Sequence, residues 1–318
     1  MPTPLPDSRI SPRFAGLMTF GRYPRLEDTG GPIDWAIYGI PYDTGVTYRP
    51  GTRFGPRAIR EASQYLKRYS IVHRLDLCDA LTMADAGDAP VHPYHPKQTL
   101  DAACGFALSL GSDETRTLAL GGDHSTAYSN IKAAWTRQGK PSGGLPLLHF
   151  DSHLDTVDSV WGEKYGHASP FIRLIEEGVV DPRRMLSVGI KGPLTNGDDL
   201  KYAEEHGVAI LTHDEWIETG DQPIVDFVRR LEGEAAYCTF DIDCVDPVFA
   251  PGTGTPAVGG FTSHEALRLI RAMKGVNLVG ADVVEVLPDR DVMGNTALLA
   301  AHIAFELLCL DALRRRDG

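Results

Sequence analysis

The chain has 318 residues, 42% of them hydrophobic and 23% charged, proportions ordinary for a globular protein that buries a large core. Its 43 acids against 31 bases leave a net charge of -12. That excess argues against nucleic acid and anionic membranes as partners, because phosphate surfaces need clustered Lys and Arg. Cys78, Cys104, Cys238, Cys244 and Cys309 are scattered and form no CxxC pair, the usage expected of reduced thiols in a cytoplasmic protein. Residues 1–16 lack the basic start and apolar run of a secretion signal, and no stretch reads as a membrane span.

Short apolar runs at 35–41, 81–84, 118–120, 146–150, 185–190, 208–211, 236–240 and 277–283 read as strands buried on both faces. Segments of helical spacing lie between most of them, the alternation that predicts a parallel sheet. Residues 141–144 read as a loop and 191–199 as a polar turn leading into a helix, both too short to divide the chain, so one domain is expected over 1–318. After Phe261, Thr262 and Glu265 form a capping box, and Leu267, Leu269, Ile270 and Met273 continue an apolar helix face. A last helix is expected over about 296–316, with Arg314, Arg315 and Arg316 where the helix dipole prefers positive charge.

Three polar clusters follow predicted strands. They are Gly121-Gly122-Asp123-His124-Ser125, Asp151-Ser152-His153-Leu154-Asp155-Thr156 and Asp241-Ile242-Asp243-Cys244-Val245-Asp246-Pro247. The carboxyl edge of an open parallel sheet is where ligands bind. If the extended backbone continues, Asp151, His153 and Asp155 project to one side, as do Asp241 and Asp243, and His124 joins them. Unshielded carboxylates in such a group repel one another and need protons or cations. Oxygen ligands with two imidazoles suit a hard or borderline divalent ion such as manganese. Six candidate ligands are enough for two metals sharing bridging carboxylates, an arrangement that acidifies a bridging water. A lone Asp at a strand end usually caps the next helix, and for Asp123 and Asp246 that role weighs at least as much as ligation.

GGDHS, DSHLD and FDIDCVDPVFAPGTGTP resemble the three metal-binding signatures of the ureohydrolase family. The likeness runs from 38–63 through DVVEVLP at 282–288 to the last helix, and is to the agmatinase-like branch. It implies an α/β fold: a three-layer α/β/α sandwich with a central, mainly parallel eight-stranded sheet and two manganese ions at its carboxyl edge. His124, Asp151, Asp155 and Asp241 would hold one ion; Asp151, His153, Asp241 and Asp243 would hold the other. Asp155 would act as general acid, His167 as proton shuttle, and Glu285 would pair with the substrate's guanidinium. The implied reaction releases urea from a small guanidino compound, agmatine first, with 4-guanidinobutyrate or 3-guanidinopropionate as the alternative. Two departures from the family pattern are Ala168-Ser169 after His167, in place of Gly and Thr or Gln, and Ala257 where many relatives carry Glu. Assembly into homo-trimers or hexamers follows from the same resemblance.

Residues 157–166 (VDSVWGEKYG), between the second motif and His167, are expected to border the substrate's far end. Asp158 or Glu163 would attract a second amine, Lys164 a carboxylate, and Trp161 would wall an apolar linker. Two other classes fit these residues less well. Against a deacetylase-type amide hydrolase stand Glu285 and a full ligand set for a second metal; against a catalytically silent binding protein stand six filled ligand positions.

Overall fold

Continuous apolar runs can be buried on both faces of a sheet, and each of the eight runs becomes a strand in the computed structural model, which describes residues 2–317. In chain order the strands are β1 (Trp35–Gly39), β2 (Tyr69–Ser70), β3 (Leu75–Asp76), β4 (Met83–Asp88), β5 (Arg116–Leu120), β6 (Leu145–Phe150), β7 (Val180–Ile190), β8 (Ala209–Thr212), β9 (Ala235–Asp241) and β10 (Asn277–Val284). Two of them, β2 and β3, form a separate antiparallel hairpin that the sequence does not announce, since two residues per strand carry no periodicity. The other eight make one sheet in the order β4-β1-β5-β10-β9-β6-β7-β8. Every neighbouring pair in it is parallel.

Alternation along the central strands builds the layers. Ala236, Cys238 and Phe240 of β9, with Leu148 and Phe150 of β6, join one apolar cluster with the helices Gly55–Ser63, Ser263–Ala272 and Asn295–Asp317. Tyr237 of β9 and Leu145 and Leu147 of β6 join another, with the helices Ala127–Arg137 and Pro170–Glu176. The result is the expected α/β/α sandwich. The capping box at Thr262 forms, with Glu265 N donating to Thr262 Oγ1 at 3.2 Å and Thr262 N to Glu265 Oε2 at 2.8 Å.

The helix Asn295–Asp317 corrects one expectation, because by length and composition it is apolar enough to cross a membrane. Its apolar window is 89% buried inside the fold, so its greasiness is that of a core helix packed on all sides. Arg314 and Arg315 in its last turn do more than answer the dipole: both pair with the buried Asp311, which also accepts a 2.9 Å hydrogen bond from Trp35 Nε1.

Strand order positions the site. The chain leaves β5 and enters β6 on the far side of β10 and β9. The carboxyl ends of β5, β10, β9 and β6 therefore stand side by side where the strand order switches, the place where open α/β sheets bind ligands.

Candidate metal centre

Each of these four strands delivers its polar cluster on its own terms. After β5 the chain turns through Gly122, where a Cβ would fall 1.7 Å from Tyr42 O, so only glycine fits. Asp123 then caps the short turn His124–Thr126, accepting from Ser125 N at 3.1 Å and from Gly45 N at 2.8 Å. Asp246 likewise accepts from the backbone of Val248 at 2.9 Å and of Gly259 at 2.7 Å. Asp123 takes the capping role, whereas Asp246 caps no helix and its charge organises a loop.

The six remaining residues converge. His124 Nδ1 lies 2.9 Å from Asp151 Oδ2, 2.9 Å from Asp155 Oδ2 and 3.3 Å from Asp241 Oδ2. His153 Nδ1 lies 3.3 Å from Asp151 Oδ1 and 3.1 Å from Asp243 Oδ2. Asp151 thus stands between the two imidazoles with one oxygen toward each. Asp241 Oδ1 accepts from Asp243 N at 2.8 Å, which sets the D-x-D turn.

The wiring behind His124 fixes which face it offers. Its Nε2 is 2.9 Å from Thr239 Oγ1, and that hydroxyl donates to Asp282 Oδ1 at 2.5 Å. With the hydroxyl proton committed to Asp282, Nε2 must carry the proton it shares with Thr239. Nδ1 is then a lone pair facing three carboxylates, and it is buried without a properly angled hydrogen bond. Such an arrangement is stable with an added proton or a cation at that point and repulsive with neither. The pKa directions say the same. Burial and the charges of Asp243 and Asp151 push Asp241 well above the usual carboxylate range; burial and Asp151 also raise Asp243. Burial works against a charged His124, yet the surrounding acids hold its pKa well above the usual imidazole value. A divalent cation would take the place of those protons, and the donor set of carboxylates with two imidazoles fits one.

His149, inside the apolar run of β6, is one of the residues that the sequence does not single out. Its Nε2 lies 2.9 Å from Asp151 Oδ2 and its Nδ1 3.0 Å from Ser187 Oγ. It orients Asp151 from behind, the outer support common at metal sites. The signal was present in the i, i+2 spacing of His149, Asp151 and His153, but a buried polar residue in a strand otherwise reads as core.

Glu285, just past β10, and His167 meet above this cluster. Glu285 Oε1 accepts from His124 N at 2.9 Å and lies 2.9 Å from His167 Nδ1, whereas Oε2 is buried without a partner. Burial disfavours a charged His167, but the hydrogen bond and charge of Glu285 outweigh it and push its pKa up to about 9. Asp155 and Glu285 both hold left-handed backbones, at φ 53° and 63°, strain of the kind that concentrates at functional sites. A cavity of about 200 Å³ opens over His153, Asp155, His167 and Asp241. A larger concavity of about 730 Å³ lies at Arg116 and Asn277, the amino ends of β5 and β10, away from these groups.

The segment 157–166 behaves differently from expectation. Asp158 pairs with Arg173 and, at 3.8 Å, with Lys164, so these charges are spent on one another. Trp161 is 84% exposed. None of Asp158, Trp161, Glu163 and Lys164 lines the cavity; Val157 does. The opposite wall is Pro193, Leu194, Thr195 and Asp199, from the segment that reads as a plain turn in sequence. Its importance comes from β7 lying beside β6, which adjacency in sequence does not reveal.

Comparison with known proteins agrees with this geometry. The family model described as "Arginase family" matches residues 33–309. A guanidinopropionase of Pseudomonas aeruginosa is 41% identical over 311 residues, covering 97% of this chain and 96% of that protein. A mitochondrial agmatinase of Gallus gallus is 38% identical, covering 96% of this chain and 88% of that one. The solved structure of proclavaminate amidinohydrolase from Streptomyces clavuligerus superposes with a TM-score of 0.88 at 38% identity, over 96% of this chain and 100% of that one. With its sheet, its acid and imidazole cluster and these likenesses in agreement, the chain belongs to the arginase family.

Proposed function

We propose that this protein is a dinuclear manganese amidinohydrolase that releases urea from a small guanidino compound, agmatine before others. The observation that carries it is the unpartnered Oε2 of Glu285, buried beside a cluster of four carboxylates and two imidazoles. His124, Asp151, Asp155 and Asp241 would hold one ion, and Asp151, His153, Asp241 and Asp243 the other. Bound there, the ions would bring the pKa of a water into the neutral range and neutralise charge developing on the substrate. The chain's own residues do the rest. Glu285 Oε2 receives the guanidinium in a charge-assisted hydrogen bond that orients its plane. Asp155 lines the cavity and hands a proton to the departing amine, and His167 exchanges protons with solvent.

Agmatine is favoured by the cavity's charge. Asp199 is the one acid of its lining that is not assigned to a metal, and no Lys or Arg lines it among the described residues, so a second ammonium is better received there than a carboxylate. A guanidino acid is the second reading, favoured by the 41% identity to a guanidinopropionase. Location in the cytoplasm and assembly into homo-oligomers belong to the same proposal; scattered free cysteines support the first, exposed Val248, Val292 and Met293 the second.

Urea release by the manganese-loaded protein, measured across agmatine, 4-guanidinobutyrate, 3-guanidinopropionate and arginine, tests it. Agmatine is expected to give the highest kcat/KM. Turnover of a guanidino acid with none of agmatine overturns the substrate assignment, and silence on all with no metal bound overturns the enzyme.

A further inference from the structure

His167 is held at both ring nitrogens. Nδ1 faces Glu285 Oε1 at 2.9 Å, while Nε2 lies 3.0 Å from the backbone N of Thr47 and 2.8 Å from its hydroxyl. A backbone N–H can only donate, so the nitrogen it meets must be a lone pair. The ring proton then sits on Nδ1 and is given to Glu285. The clamp is mutual: His167 N donates to Gly45 O at 3.0 Å, and Gly45 N donates to Asp123 Oδ2 at 2.8 Å. Residues 44–47 therefore strap the loop that carries His167 onto the capped turn that carries His124.

The strap has a consequence at Glu285. Oε1 accepts from His124 N and from His167 Nδ1, which satisfies that oxygen and leaves Oε2 as the free one. Were His167 in the other tautomer, Nδ1 would present a lone pair to Oε1 and push the carboxylate away. The charges facing His167, namely Glu285, Asp155 and Asp123, all favour its cation. The Thr47 amide opposes them, because a proton on Nε2 would point at another N–H.

We propose that Thr47 is a positioning residue that fixes His167 in the Nδ1–H tautomer and so keeps Glu285 Oε2 turned toward the substrate's guanidinium. This rests on the assignment of the site as a guanidino site. Thr47 lines the cavity but contributes through His167, which distinguishes it from the groups that bear on the reacting atoms.

Thr47→Val keeps the backbone N–H and the side-chain shape and removes the hydroxyl; Thr47→Ser restores it. The valine variant is expected to lose kcat/KM on the order of tenfold, chiefly through a higher KM, with unchanged manganese content. Its acid limb of kcat/KM moves to higher pH, because Nε2 accepts a proton more readily, and the serine variant returns both. Independently of activity, ¹⁵N NMR of the metal-free protein, with His167 assigned against His167→Asn, is expected to show the Nδ1–H tautomer on the alkaline side of its titration. Thr47→Val keeps the amide donor, so it should retain that tautomer but titrate at higher pH. An Nε2–H tautomer in the wild type, or a valine variant matching wild type in KM and pH profile, overturns the proposal. If no guanidino compound is hydrolysed, the functional assignment fails while the NMR still decides the role of Thr47.

Discussion

The least conspicuous residue of the centre is Asp282, one strand behind the ligands. It is fully buried and accepts from Thr239 Oγ1 at 2.5 Å, Tyr237 Oη at 2.8 Å and Asn130 Nδ2 at 3.3 Å. Burial raises its pKa, and these three neutral donors with the neighbouring His124 work to hold it charged. Through Thr239 its charge fixes the orientation and proton of His124. Asp282→Asn replaces one acceptor oxygen with a donor, so one hydroxyl must turn away and His124 is released. Manganese affinity is expected to fall about 10- to 100-fold, read by competition with a chelator while circular dichroism stays unchanged; an unaltered affinity would refute the relay. At this scale the sequence tells ligands from their supports unevenly. D-x-H-x-D and D-x-D are legible because acids spaced by two at strand ends have little other use. Thr239, His149 and Asp282 sit inside apolar runs, where one polar residue has the look of core. Thr47 lies 120 residues from His167, and nothing local joins them.

Helices and strands were more legible than their order. Eight continuous apolar runs could only be strands buried on both faces, whereas the placement of β10 and β9 between β5 and β6 depends on which strands the crossovers bring together. Glu306 shows how one element is tied down. Midway along the helix Asn295–Asp317, it lies 2.7 Å from His73 Nε2 beside the β2–β3 hairpin and accepts from Arg271 at 2.6 Å. Burial raises its pKa, but the hydrogen bonds of His73 and Arg271 outweigh this and hold it below the usual Glu value. A depressed carboxylate stabilises the fold above its unfolded pKa, about 4.3, and that stability is lost as pH falls through the folded value. The thermal midpoint should therefore decline from about pH 5 downward. Glu306→Gln is expected to lower it at pH 7 and to flatten that part of the acid decline. Parallel profiles for variant and wild type would place the acid sensitivity elsewhere.

For the molecule as a whole, the cluster is a liability that a cation turns into a tie between strands. Asp151, Asp241 and Asp243 are fully or nearly fully buried, and they come from β6 and β9, neighbours at the centre of the sheet. Without a cation their repulsion opposes folding. A ligand that binds only the native chain stabilises it by mass action, about 2.7 kcal/mol at a hundredfold excess over Kd. Manganese should therefore raise the thermal midpoint by several degrees, and a chelator should reverse the gain. Asp241→Asn separates this account from an ordinary hydrogen-bonding role. Asparagine keeps an oxygen for the 2.8 Å bond from Asp243 N but removes one negative charge. In the metal-free state the variant should melt no lower than wild type, because repulsion has been relieved. With manganese it should melt lower, because a ligand has been lost. Calorimetry of the two proteins with and without metal reads this crossing directly. A variant that is less stable in both states by the same amount would mean that Asp241 serves the turn and not the cation.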